Sequence, residues 1–320
     1  MGSKPGFFRR IFSRKYRPDG EWVENLDAMQ QILPYVIRSR HAASVYFTET
    51  IDITHTLNYI RRHNAHPEIA KLSLFTVFLA ALLRTGVLHP RLNHFVAGKR
   101  IYARNQLQAS FVMKAEMSEK GREVVVKMTF NPEDTLADVA TRVNRVINKV
   151  RTGNSPNHNT LMESVLKLPS FMLSMIFAFE RILDGRGLLP KRLIDTDPLY
   201  SSIFIANLGS LALGPVLHPL YERGTVSLFA VLSEHREARY IEKDGRVGRK
   251  NVVDMTFTID SRITGGFSIA EALQTLRALM ENPELLEKQC RKEDLPGPLP
   301  ARNEKVVQIP HRGKAGKLGT

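Results

Sequence analysis

Three polar side chains with chemical reach stand together near the end of the chain. Asp260, Ser261 and Arg262 open the run Asp260-Ser261-Arg262-Ile263-Thr264-Gly265-Gly266. A serine hydroxyl attacks poorly at neutral pH unless a base takes its proton. Asp260 and Arg262 are two positions apart, so on an extended strand they point the same way. They either pair with each other or with neighbours and fix the turn, or they face a ligand. A base has to come from elsewhere. Of the ten histidines, His218, in Gly214-Pro215-Val216-Leu217-His218-Pro219, and His235 lie in the same third of the sequence as this run and are the candidate substitutes. No Gly-x-Ser-x-Gly elbow, P-loop or His-Glu-x-x-His pair occurs, so metal and nucleoside-triphosphate chemistry find no support.

The elements that must position this run are legible around it. Met255 to Ile259 alternates apolar and β-branched residues, the pattern of a half-buried strand. Gly265-Gly266 makes a turn, and Ile269, Leu273, Leu276, Ala278 and Leu279 follow at helical spacing. A second strand-and-turn, Ser201-Ser202-Ile203-Phe204-Ile205-Ala206-Asn207-Leu208-Gly209-Ser210, lies upstream.

Both stretches resemble the catalytic domain of the acyltransferase (E2) subunits of 2-oxo-acid dehydrogenase complexes. That family carries Asp-His-Arg-x-x-Asp-Gly at the end of such a strand, and the related chloramphenicol acetyltransferases carry His-x-x-x-Asp-Gly. Asp260, Arg262 and Gly266 keep the pattern. Ser261 stands at the His position and Gly265 at the second Asp position. Asn207-Leu208-Gly209 matches the other family turn, but Ala206 stands where the family has the Ser that donates to the tetrahedral oxyanion. Ile51-Asp52-Ile53-Thr54 and Pro90-Arg91-Leu92-Asn93 are further points of similarity, and the likeness runs from about Pro34 to Leu286.

The resemblance implies an α/β two-layer sandwich, chloramphenicol acetyltransferase-like, with a large mixed sheet and helices packed on one face. It also implies a homotrimer with the active site in a channel between subunits, CoA or acyl-CoA entering from one side and a lipoyl arm from the other. No lipoyl domain pattern is present. Acyl transfer between a thioester and a thiol needs a base with pKa near neutrality, usually His. Ser261, Gly265 and Ala206 therefore leave three readings: a catalytically impaired protein that binds CoA or acyl groups, an active CoA-dependent acyltransferase with a relocated base, or a trimeric or membrane-peripheral scaffold.

Further elements follow the apolar pattern. Leu26 to Arg40 reads as a helix that Pro34 threatens to break. Ser44 to Thr54 reads as a long strand, with Thr54 placed to cap the next helix. Leu72 to Val87 is apolar on nearly every side and reads as a buried helix. Strands are expected near Phe95–Ala103, Gln108–Glu116 and Glu123–Phe130. Leu136, Val139, Val143, Val146, Ile147 and Val150 make one helical stripe. Leu168 to Phe179 carries no charge and is too short to span a bilayer. It reads either as a buried hairpin or subunit contact, or as a lid or surface that meets lipid or an acyl chain.

Composition bounds the rest. The chain has 320 residues and a net charge of +14. Its single cysteine, Cys290, rules out an internal disulfide and fits a reducing, cytoplasmic setting. The basic charge suits CoA phosphates or acidic lipid, and no nucleic-acid motif accompanies it. Residues 1–24 are expected as a basic tail, 25–288 as the acyltransferase-like domain and 289–320 as a basic, Pro/Gly-rich disordered tail. Within residues 2–17, Phe8, Ile11 and Phe12 share a helical face among Lys and Arg, which suits either a membrane-peripheral anchor or a flexible arm. The anchor reading expects liposome co-sedimentation that falls steeply with salt, since each basic residue near an anionic surface contributes about 1 kcal/mol. Deleting residues 2–17 should abolish that sedimentation.

Overall fold

The computed structural model describes residues 17–114, 123–152, 167–241, 246–289 and 291–296. In chain order the elements are β1 (Gly20–Trp22), α1 (Ala28–Val36), α2 (Arg40–Ala43), β2 (Ser44–Asp52), α3 (Thr54–His63) and α4 (Leu74–Leu88). Then come β3 (His94–Ala97), β4 (Arg100–Arg104), β5 (Leu107–Lys114), β6 (Glu123–Phe130) and α5 (Leu136–Arg151). The last third holds α6 (Ser170–Gly185), α7 (Lys191–Thr196), β7 (Ile203–Asn207), β8 (Leu228–Ile241), β9 (Val247–Asp260) and α8 (Gly266–Glu281).

A six-stranded sheet runs in the order β2-β9-β8-β7-β5-β6. It is mixed: β7 lies parallel to both β5 and β8, and the remaining pairs are antiparallel. Alternation along the strands gives it two faces. Ile203 and Ile205 of β7, Ala230 and Leu232 of β8, and Met255, Phe257 and Ile259 of β9 join the main core with α4, α5 and α8. Phe204, Phe229 and Val231 point the other way, into a smaller cluster with Leu220 and Val226. The loop there lies along the sheet, where Thr256 and Thr258 donate their hydroxyls to the carbonyls of Val216 and His218 at 2.5 and 2.6 Å.

The helix expected over residues 72–87 is α4, begun by Ser73, whose hydroxyl accepts the Thr76 N–H at 3.1 Å. Val77, Phe78, Leu79 and Ala81 have no exposed surface. Each large apolar side chain buried this way contributes about 1.5–3 kcal/mol. The next amphipathic helix, α5, starts on a capping box between Thr135 and Asp138.

Several expectations need correction. The strand over 95–103 is a hairpin of β3 and β4, because Gly98 and Lys99 both take positive φ (53° and 64°) and turn the chain. With β1 they form a separate three-stranded sheet. Pro34 sits inside α1 without ending it. Thr54 is the first residue of α3 rather than its cap, and Asp52 accepts its N–H at 3.0 Å. Residues 17–24 are no tail: β1 pairs with β4, and Arg17 is buried between Asp19 and Asp184 at 2.9 and 2.7 Å. The deletion that probes the basic arm therefore ends at residue 16; residues 2–16 themselves lie outside the described residues.

The apolar stretch 168–179 is not a buried hairpin. Pro169 precedes one helix, α6, of which no residue is buried. Phe171, Met175 and Phe179 are each more than 60% exposed, at 65%, 67% and 62%. Among the described residues α6 is tied down mainly at its far end: Arg17 and Arg223 bind Asp184 and Glu180, and Gly98 packs against Gly185. A Cβ at Gly98 would overlap the Gly185 carbonyl, and its positive φ disfavours any side chain. Gly98→Ala should lower stability by about 1–3 kcal/mol in urea unfolding, with α6 gaining hydrogen exchange ahead of the main sheet.

Candidate functional site

Asp260 ends β9 with no exposed surface, and Arg262 is 3% exposed. The guanidinium grips the carboxylate through two parallel bonds, Nε to Oδ1 at 2.8 Å and Nη2 to Oδ2 at 2.6 Å. Its Nη1 donates to the Ile37 carbonyl at 3.0 Å, and the Arg262 backbone N–H returns to Asp260 at 3.0 Å. Each guanidinium nitrogen and both carboxylate oxygens are thus engaged inside the protein. Asp260 and Arg262 pair with each other and fix the turn.

Ser261 lies between them, half-buried, its N–H bonded to the Ala43 carbonyl at 2.9 Å. Gly265 precedes α8 with φ −84°, ordinary extended backbone, and a Cβ built there meets nothing within 4 Å. Gly266 is equally open. Neither glycine is required by conformation, so the fold leaves room for a side chain at position 265.

Ala206 and Asn207 occupy the end of β7, where Ala206 pairs with Val231 and Asn207 with Leu232. The Asn-Leu-Gly turn is held by close approach: Leu208 N–H donates to Leu232 O at 2.9 Å, and a Cβ on Gly209 would stand 2.8 Å from the Ser233 carbonyl. Val231 in turn pairs with Thr256. Ser261 lies five residues beyond Thr256, about 17 Å along the strand, with two strand spacings of about 5 Å between β7 and β9. Within one chain the two motif segments therefore do not meet.

His235 is exposed and pairs with Val253, about 26 Å along β9 from Ser261. His218 is nearer, since its carbonyl receives Thr258 three residues before Ser261. Its ring stacks on Phe229 at 4.1 Å, and its Nδ1 bonds to the Pro219 carbonyl at 2.6 Å. A carbonyl only accepts, so Nδ1 is a donor here, and in the neutral ring this tautomer leaves the lone pair on Nε2. His89 is bonded to Thr275, and burial beside Arg91 pushes His94 down to about 4. Among the described residues no cluster of His, Cys, Asp and Glu could hold a metal.

Residues 191–287 match the model of the 2-oxoacid dehydrogenases acyltransferase (catalytic domain) family. This segment carries the E2 acyltransferase pattern. Both motif segments fall inside it. The fold agrees over most of the chain. A probable dihydrolipoamide acetyltransferase from Listeria monocytogenes 4b F2365 superposes with TM-score 0.53 at 13% identity, over 92% of this chain and 97% of that one. The cubic core of the pyruvate dehydrogenase multienzyme complex gives 0.53 at 13% identity, over 89% and 99%. A chloramphenicol acetyltransferase gives 0.52 at 10% identity, over 82% and 99%. At such identities the likeness establishes the fold, which is chloramphenicol acetyltransferase-like. No curated protein sequence matches the chain.

The E2-like motif also borders a feature the sequence did not signal. Arg262 forms part of the wall of a cavity of about 550 Å³ beside α2, the β3–β4 turn and the anchored end of α6. Arg40, 7% exposed, lies in the same wall. An arginine reads as surface unless its partners are known, and these partners are backbone carbonyls far along the chain. Asp260→Asn should cost about 3–5 kcal/mol in thermal or urea unfolding, because it strands a buried guanidinium. Asp260→Asn combined with Arg262→Met should cost less than Asp260→Asn alone.

Proposed function

We propose that this protein is a catalytically impaired relative of the E2 acyltransferases that works by binding CoA or an acyl-CoA within a homotrimer. The observation that carries the reading is the site itself. Ser261, Gly265 and Ala206 stand where the E2 pattern has its base, its second carboxylate and its oxyanion donor, while Asp260 and Arg262 close on each other. A general base typically contributes about 10²–10⁴ in rate. One oxyanion donor contributes about 10²–10³.

The trimer reading rests on the register. The segments of Ala206 and Ser261 are far apart in one chain, so a shared site needs a second copy. The exposed apolar side of α6 supplies a surface for such a copy to cover. The core assembly among the similar structures supports the same reading. Among the described residues no helix is long and apolar enough to cross a membrane, and contact with an anionic bilayer through residues 2–16 would be peripheral.

A second reading, an active enzyme with a relocated base, is favoured by one detail: the His218 Nδ1–H is engaged by the Pro219 carbonyl, the tautomer that in the neutral ring presents Nε2 as an acceptor. Acetyl-CoA-to-dihydrolipoamide transfer separates the two. The binding reading expects wild-type turnover at background, and a gain of about 10² or more when Ser261→His, Gly265→Asp and Ala206→Ser are combined. Robust wild-type turnover abolished by His218→Ala would transfer the assignment to His218. Light scattering should give a trimer mass at micromolar concentration; a monomer would defeat the shared-site reading.

A further inference from the structure

The cavity beside Arg262 holds an unbalanced charge. Arg223 is matched by Glu180 at 2.7 Å and Asp197 at 2.6 Å, Asp184 by Arg17 and Arg262 by Asp260. Glu222 is turned onto the backbone N–H groups of His41 and Arg40 at 2.8 and 3.3 Å. That leaves Arg40. Among the described residues its guanidinium reaches only main-chain oxygens, those of Gly224, of Val96 at 2.8 Å and of Glu222 at 3.4 Å. Its Nε is buried and bonded to nothing among the described residues. Burial without a carboxylate partner is costly for a guanidinium, and it pushes the Arg40 pKa down even though Asp260 acts in the opposite sense.

Three more cations stand in the wall of the same cavity. Arg38 and Arg181 are exposed and have no acidic partner among the described residues, and Lys99 lies over the Tyr35 ring at 5.3 Å. Four positive side chains thus face Glu222 as the one carboxylate not already matched by a cation. Val96, Phe177 and Tyr200 add an apolar wall.

We propose that this cavity binds a phosphate-bearing small molecule of about mononucleotide size, its phosphate paired with Arg40 and the surrounding Arg38, Lys99 and Arg181. Several cations around one buried guanidinium suit a multiply charged phosphate better than a single carboxylate. The volume of about 550 Å³ suits a small organic ligand. The helix α6 supplies part of the wall, so the site belongs to this chain's own architecture as well as to the motif that borders it. It stands whether or not the protein binds CoA.

Calorimetric titration of the full-length protein with inorganic phosphate, adenosine 3′,5′-bisphosphate, CoA and acetate tests it. The expected result is binding of the bisphosphate, weaker binding of inorganic phosphate, competition between the two, and none of acetate. Arg38→Ala and Arg181→Ala, both at exposed positions, should each weaken bisphosphate binding by about tenfold, as loss of a charge-assisted bond does. Arg40→Gln should abolish it, and its circular dichroism spectrum checks that the fold is retained. Bisphosphate binding without CoA binding upholds this site and removes CoA from the proposed function. CoA binding that Arg38→Ala and Arg181→Ala leave intact, with no bisphosphate binding, overturns the site and spares that function. No phosphate-bearing probe binding at millimolar concentration also overturns it.

Discussion

Burying a carboxylate completely is tolerable only when a cation and further hydrogen bonds replace the water it loses. Asp260 meets that condition through Arg262, and much of the motif region depends on the arrangement. The pair clamps the end of β9 to the chain just before α2 through Ile37. The intervening Ser261 N–H ties the same turn to Ala43, where β2 begins. One ion pair therefore fixes the start of the edge strand, the end of its neighbour and the entry to α8. It also supplies part of the wall of the cavity that contains Arg40.

The turn keeps its shape through this pair whatever side chains stand at positions 261 and 265. The structural and chemical duties fall on different residues. Asp260 and Arg262 face each other and hold the turn, while among the described residues no bond uses the Ser261 hydroxyl and Gly265 has no side chain to contribute. Gly265 has room for a carboxylate, and Ala206 lies half-buried beside Val231 without strain.

Much of the fold was legible because its signals are local. The period of α4 and α5, the alternation of β9 and the turn after β7 each lie within a dozen or so consecutive residues. What sequence missed depends on distant partners. Arg17 sits in a run of basic residues and reads as tail, yet one of its carboxylate partners lies 167 residues away. Arg40 is one of 46 basic residues, and nothing local marks it as buried. The exposure of α6 was one of several readings open from sequence, since uncharged apolar residues often signal burial and this helix leaves them uncovered in the single chain. The β3–β4 turn was missed because one of its two positive-φ residues is Lys99, a type rarely found there.

The pairing of β2 with β9 has a consequence for the nascent chain. Thr50 bonds to Asp254 at 2.6 Å across 204 residues of sequence. At roughly 5–20 residues per second on a ribosome, β2 waits about 10–40 s for its partner to be made. Over much of that interval α4 lacks β8, β9 and α8, which complete the core around it. Such non-local contacts fold slowly and leave apolar surface exposed to aggregation. Chaperone demand in this protein is therefore set by strand order: the first long strand to be synthesised closes the sheet only against the last.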